Sequence, residues 1–311
     1  MTGLHSKYAW FTVTYVGAVV LFGAVVRVTG SGAGCGAHWP TCNGEIAHLP
    51  RRIQTVIELS HRLTSGLSLL AVLGLFWLIR RNYAPLQPVR RYANLALVFL
   101  LIESLLGAVL VLFGLVVNDR SLARAVVMPL HLANASALMA TLGLCAFGTQ
   151  HALPIRERLI TRREAQLRVL LALILLASML GALTALGDTL FPPASGQNLL
   201  SHLAADQSGR AHWLERLRII HPAVAVLTAV YAIRVAMTRL FDERCNPLSR
   251  KLAVSIIAVI TLQIAAGSIN VWLNAPAYLQ VVHLGLALLS FILCALLWAD
   301  TGARPETVDP D

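Results

Sequence analysis

The sequence predicts an all-α integral membrane protein: eight transmembrane helices in two tandem, pseudo-symmetric four-helix bundles, with both termini in the cytoplasm. Three observations predict it. The composition is 57 % hydrophobic against 13 % charged, with a mean hydropathy of +0.70, which would over-supply a soluble fold with apolar surface. The apolar residues gather into eight stretches of about 20 residues, the length that crosses a bilayer. The last four stretches then echo the first four, as in a parallel repeat related by an axis along the membrane normal.

The stretches fall at about 8–28, 57–79, 92–117, 127–148, 168–187, 215–237, 252–273 and 279–298. The first follows a tail with a single lysine, and its apolar core is too long for a cleaved signal peptide, so it is expected to be retained as a span. Loops after the second, fourth and sixth stretches carry Arg80, Arg81, Arg90 and Arg91, then Arg156, Arg158, Arg162, Arg163 and Arg168, then Arg234, Arg239, Arg244, Arg250 and Lys251. Loops after the odd-numbered stretches hold only Arg51, Arg52, Arg120, Arg124, Arg210, Arg216 and Arg218. This asymmetry puts both termini inside. It also accounts for the net charge of +10 and pI near 10, so nucleic acid is excluded as a partner and the lipid bilayer is the predicted surroundings. The charged tail after Trp298, with Arg304, reads as a solvated end.

The repeat divides the chain at residues 1–150 and 151–311. Gly23-Ala24-Val25-Val26 matches Gly181-Ala182-Leu183-Thr184, Glu103 before Gly107 matches Gln263 before Gly267, and His131-Leu132-Ala133 matches His283-Leu284-Gly285. His61 and His221 follow the matched Gly23 and Gly181 by 38 and 40 residues. Four histidines, His61, His131, His221 and His283, therefore fall in the first turn or two of helices two, four, six and eight, all at similar depth. Two histidines facing each other in one bundle can bind a haem iron from both sides. Zinc fits less well, because no cysteine or further carboxylate accompanies each pair. A single intramembrane histidine is more often a polar group bonded to a backbone carbonyl, but four at repeat-related positions point to ligation. His5, His38, His48, His151, His202 and His212 lie in the tail or loops, where a solvated or locally bonded role is the default.

Glu58 breaks the symmetry, since the position three before His221 is Arg218. Beside a bound porphyrin, Glu58 would act as base, proton acceptor or stabiliser of positive charge; the plainer alternative is an ion pair with Arg62 or Arg27. Those arginines equally suit the propionates of a haem. Cys35 and Cys42 stand in a glycine-rich loop that the topology puts outside, where a structural staple and a redox-active pair are both open. Gly30-Ser31-Gly32 in that loop is no nucleotide-binding turn, because it follows a membrane helix rather than a strand. Cys145, Cys245 and Cys294 read as reduced thiols. Glu103, Asn134, Gln263 and Asn270 read as interhelical hydrogen-bond partners.

Gly23-Ala24-Val25-Val26-Arg27-Val28-Thr29-Gly30-Ser31-Gly32, the Cys35 and Trp39-Pro40-Thr41-Cys42 loop, and Glu58-Leu59-Ser60-His61-Arg62 together resemble the haem A synthase family of bacterial membrane enzymes. The resemblance covers almost the whole chain. It implies that a ring methyl of haem O is oxidised to a formyl group through successive hydroxylations, giving haem A for terminal oxidases. It implies haem b as a cofactor in the second half, held by His221 and His283. In the first half it implies haem O near His61 and His131, with Glu58 as the functional carboxylate, and an external disulfide or redox role for Cys35 and Cys42. The partners expected with it are haem O, haem O synthase as supplier, and an electron donor, with self-association left open and the bacterial plasma membrane as location. Two departures stand out: no second cysteine pair occurs between Gly187 and Trp213, and Glu103 stands where an amide like Gln263 is expected. From the residues alone, a bis-histidine di-haem cytochrome that passes electrons and a haem carrier remain the rivals.

Overall fold

The computed structural model describes residues 3–45, 49–151, 153, 161–192, 206–208, 211–243 and 245–302. His48, His202, Arg156, Arg158, Arg210, Arg244 and Arg304 lie outside the described residues. Eight helices are long and apolar enough to cross a membrane: α1 (Leu4–Val28), α2 (Ile53–Asn82), α3 (Pro88–Leu112), α4 (Leu122–Gly148), α5 (Arg162–Leu190), α6 (Trp213–Leu240), α7 (Pro247–Trp272) and α8 (Ala277–Gly302). Span α6 is a short helical turn, Trp213–Arg216, and a 3-10 turn, Leu217–Ile219, leading into Ile220–Leu240. Among the described residues there is no β-strand, only an isolated bridge between Cys42 and Glu45.

Several helices begin well before the apolar stretches do, because hydropathy marks the part that matches lipid whereas capping sets where the helix starts. Thr161 and Glu164 form a capping box that opens α5 at Arg162, satisfying two backbone donors that would otherwise lack partners. Ser121 caps α4 through Arg124 N, and Asn246 caps α7 with Pro247 as its first residue. In consequence His61, His131, His221 and His283 lie eight, nine, eight and six residues after the first residue of their spans, about 9–14 Å along the axis. His283 thus falls within the first two turns that the sequence predicts, and the other three lie just beyond them.

Helices α1, α3 and α7 end alike. Gly30, Gly114 and Asn274 adopt positive φ (64°, 64° and 57°), and the residue after each donates to a carbonyl five back: Ser31 to Val26, Leu115 to Leu110, Ala275 to Asn270. This left-handed cap closes the last carbonyls and reverses the chain.

Helices α1 to α4 pack in a closed order, α1 on α2, α2 on α3, α3 on α4 and α4 on α1; α5 to α8 do the same. Contacts of α4 with α5 and α8, and of α1 with α8, join the two sets. Helix α4 is accordingly the most enclosed, buried almost without interruption from Ala135 to Phe147. The main apolar core includes Leu75, Ile79, Leu142, Leu167, Leu170 and Leu297. At that end Asp300 accepts from Asn246 and Ser249, and Arg163 pairs with Asp242. Large apolar side chains such as Leu70, Trp77, Leu227 and Leu262 face outward, as lipid-facing helices require.

Candidate functional site

Toward the opposite end from Asp300, each of the four histidines rests against a glycine of the preceding helix. A Cβ added to Gly23 on α1 would stand 3.3 Å from the His61 Cε1 on α2, and one on Gly107 of α3 would stand 3.9 Å from His131 Cε1 on α4. The same construction gives 2.9 Å between Gly181 on α5 and His221 on α6, and 2.8 Å between Gly267 on α7 and His283 on α8. Lacking a side chain, glycine lets an imidazole lie directly on a neighbouring backbone. All four rings line one cavity of about 1420 Å³, above the roughly 300–1,000 Å³ of ordinary small-molecule sites.

In the second half, His221 Nδ1 is 3.0 Å from the carbonyl oxygen of Ala177. This contact orients the ring and leaves Nε2 for a ligand, the usual arrangement of a metal-binding histidine. The His221 and His283 rings have centres 6.3 Å apart and planes 86° apart. His283 Nε2 is 3.3 Å from Gln263 Nε2, while its Nδ1 is buried without a protein partner.

The first half is different. His61 stands edge-on to Phe22 at 5.5 Å, and its Nδ1 is buried and unpartnered. His131 Nδ1 lies 3.3 Å from Glu103 Oε1, at ion-pair distance though without hydrogen-bond alignment. Asn134 donates to Glu103 Oε2 at 2.6 Å and to the Phe99 carbonyl at 2.8 Å, so Asn134 is the interhelical bridge that the sequence predicts.

Glu58 is buried and fully engaged. Its Oε2 accepts from the backbone N–H of Cys35 at 2.8 Å, and its Oε1 pairs with Arg62 at 2.5 Å. Arg62 in turn donates to the carbonyls of His38 and Thr41. The ion pair thus ties α2 to the loop closed by the Cys35–Cys42 disulfide, whose Trp39 and Pro40 also line the cavity. The matching position of the second half does the same work with reversed charge. Arg218, buried, pairs with Asp188 at 3.0 Å and Asp206 at 2.9 Å and donates to the carbonyls of Gly187 and Phe191. Of the two arginines that the sequence offers Glu58, Arg62 is therefore the partner. Arg27 crosses from α1 to the other half, donating to Ala185 O, Thr189 Oγ1 and Gln280 Oε1.

The remaining described histidines of the tail and loops include three with local roles. His212 caps the start of α6 and stacks on Phe191, His151 packs on Phe147, and His5 meets Tyr83 edge-on. Cys145, Cys245 and Cys294 are free thiols. Sequence reasoning passed over Arg218 as a loop anchor and the contact between Glu103 and His131. The spacing Glu103–Gly107, repeated as Gln263–Gly267, was the available signal, because it puts each polar side chain one turn from the glycine under a histidine.

The donor set fits a haem. Two imidazoles on opposite sides of one iron, each with a metal–nitrogen bond of about 2 Å, bring their ring centres to about 6 Å, and His61 and His283 each keep a buried nitrogen without a protein partner. Among the described residues no group of three or more His, Cys, Asp or Glu is placed to hold a bare metal ion; a haem needs only axial ligands from the protein.

These features define a multi-pass helical membrane protein with histidine pairs on an internal cavity. Residues 6–295 match the COX15-CtaA family, described as cytochrome oxidase assembly protein, and the chain belongs to that family. Proteins named protoheme IX farnesyltransferase from two strains of Thermus thermophilus are each 43% identical over 300 residues, 96% of this chain and 49% of theirs. A protein named heme A synthase from Bacillus mycoides (strain KBAB4) is 45% identical over 96 residues, 31% of each chain. The chain thus spans about half the length of the Thermus relatives.

Proposed function

We propose that this chain is a haem A synthase, oxidising a ring methyl group of haem O to the formyl group of haem A. One observation carries the reading: four histidines, one on every second helix, line a single cavity in a chain of a cytochrome oxidase assembly family. The two halves, 1–150 and 151–311, form a parallel tandem repeat; the recurring glycine–histidine contacts and the two closed helix orders support this. Both termini lie in the cytoplasm of a bacterium, on the loop charges, so the histidine end of the helices lies toward the outer face of the plasma membrane.

His221 and His283 hold haem b; their ring spacing and the Ala177 anchor support that assignment. His61 and His131 bind haem O and orient it in the first half. A bound haem supplies the redox chemistry that no amino-acid side chain offers for an unactivated methyl group. Glu58 presents a fixed carboxylate to the first-half cavity, where it stabilises positive charge developing on the substrate. Arg62 and the Cys35 N–H hold that carboxylate in place, and the disulfide loop over it keeps water out. Haem O arrives from haem O synthase, and a separate electron donor is the further partner.

A second reading is farnesyl transfer to protohaem, favoured by the name of the Thermus relatives. Mass analysis of haems extracted from the purified chain, with and without a haem O supply, separates these. Haem A or a hydroxylated intermediate, formed only when haem O is supplied, is the expected result. Haem O formed from protohaem without that supply would establish prenyl transfer instead. Haem b alone, with haem O supplied, would leave an electron-transferring cytochrome or a carrier.

A further inference from the structure

The contact between Glu103 and His131 is not used by the mechanism above, and it differs from its repeat-related counterpart in the chemistry of the partner. On α3, Glu103 lies one turn before Gly107, the glycine under His131; on α7, Gln263 lies one turn before Gly267, the glycine under His283. Both side chains come to 3.3 Å from the imidazole of the following helix, Glu103 at His131 Nδ1 and Gln263 at His283 Nε2. In the first half the partner is a carboxylate, and in the second a neutral amide. Asn134 holds Glu103 Oε2 at 2.6 Å while it also donates to Phe99 O, so the carboxylate is braced from the far side and Oε1 is left toward His131 Nδ1.

We propose that Glu103 is a positioning residue that directs His131 Nδ1 away from the iron site and makes His131 a stronger donor ligand than His283. The inference rests on the proposed haem site at His61 and His131. The physical basis is general. A metal-bound imidazole whose second nitrogen faces a carboxylate is held in one tautomer and carries more electron density to the metal. Stronger donation stabilises ferric over ferrous iron and lowers the reduction potential, one of the few levers a protein has on a haem. The swap of carboxylate for amide thus makes two otherwise similar histidine sites unequal, with the substrate side biased toward the oxidised state. A carboxylate that merely bridged α3 to α4 through Asn134 would have no such effect on the iron.

The test uses the full chain, purified from cells supplied with haem O, with redox titration and low-temperature electron paramagnetic resonance of its haems. In Glu103→Gln the first-half haem is expected to rise in midpoint potential, to change its resonance signature, and to bind about 10–100-fold more weakly. The second-half signal is expected to stay unchanged, which also reports that the protein has folded. In the mirror variant, Gln263→Glu, the second-half potential is expected to fall. First-half haem in Glu103→Gln with unchanged potential and resonance would overturn the inference while leaving the haem A synthase reading intact. A His131→Ala protein with the same haem content and spectra as the parent would overturn both, because no haem would then depend on His131.

Discussion

The two halves place a histidine pair on equivalent helices and then surround it with opposite chemistry. In the second half the rings meet edge-on at 6.3 Å, one anchored on a backbone carbonyl and the other beside an amide, with Arg218 spent on tying down Asp188, Asp206 and two carbonyls. In the first half the rings have separate neighbours: the Glu103 carboxylate stands beside His131, and Glu58 lines the cavity paired with Arg62, as Asp188 and Asp206 line it paired with Arg218 in the second half. Glycine spacing follows the same division, tighter under His221 and His283 than under His61 and His131. A closely packed pair suits a cofactor held through many turnovers. A looser pair flanked by carboxylates suits a substrate that must enter, lose protons and leave.

The sharpest way to break this comparison is to remove a ligand from each half. His221→Ala and His283→Ala are each expected to lose essentially all tightly bound haem b, while His61→Ala and His131→Ala keep it. A normal bis-histidine absorption spectrum in purified His283→Ala would end the assignment. Next come the two charged positions that precede the first histidine of each half. Glu58→Gln is expected to keep its haem but to lose product by about 100-fold or more, within the range for a lost acid–base group, as measured by haem extraction per mole of protein. Arg218→Gln is expected to lower the thermal unfolding temperature yet to leave product per folded molecule close to the parent.

The glycines grade the comparison more finely. Gly267→Ala and Gly181→Ala are expected to displace their rings and destabilise by about 1–3 kcal/mol, the usual cost of overpacking. Gly23→Ala should cost less and Gly107→Ala almost nothing; equal effects across the four in thermal denaturation would show that the halves do not differ in tightness. The seam tests what joins the halves rather than either site. Arg27→Gln removes charged hydrogen bonds worth about 1.5–3 kcal/mol each in buried settings, partly replaced by water here, and should lower the unfolding temperature without altering either haem spectrum.

Eight membrane-length helices and their order were legible in the sequence because lipid demands long apolar runs whatever their neighbours are. The helix starts were not, since Thr161 and Ser121 cap polar turns that hydropathy discards. The four histidines stood out by repetition, and Cys35 and Cys42 by their loop, although only the structure closes them into a disulfide. Glu58 stood out on its helix beside Arg62, but its bond to the Cys35 backbone depends on how a loop folds over α2, which no spacing along one helix reveals.

Sequence alone determined that this chain has eight segments able to cross a membrane and that a histidine recurs on every second one, because hydropathy and residue spacing are properties of single segments. Tertiary structure decided which groups meet: Arg27 spanning from α1 to α5 and α8, Glu103 beside His131, Arg218 as the charge-reversed counterpart of the Glu58–Arg62 clamp. The contacts of Glu103 with His131 and of Arg27 with Gln280 join residues 28 and 253 positions apart. They form only when separate helices pack, and the close approach that glycine permits at four crossings brings the imidazoles to the cavity.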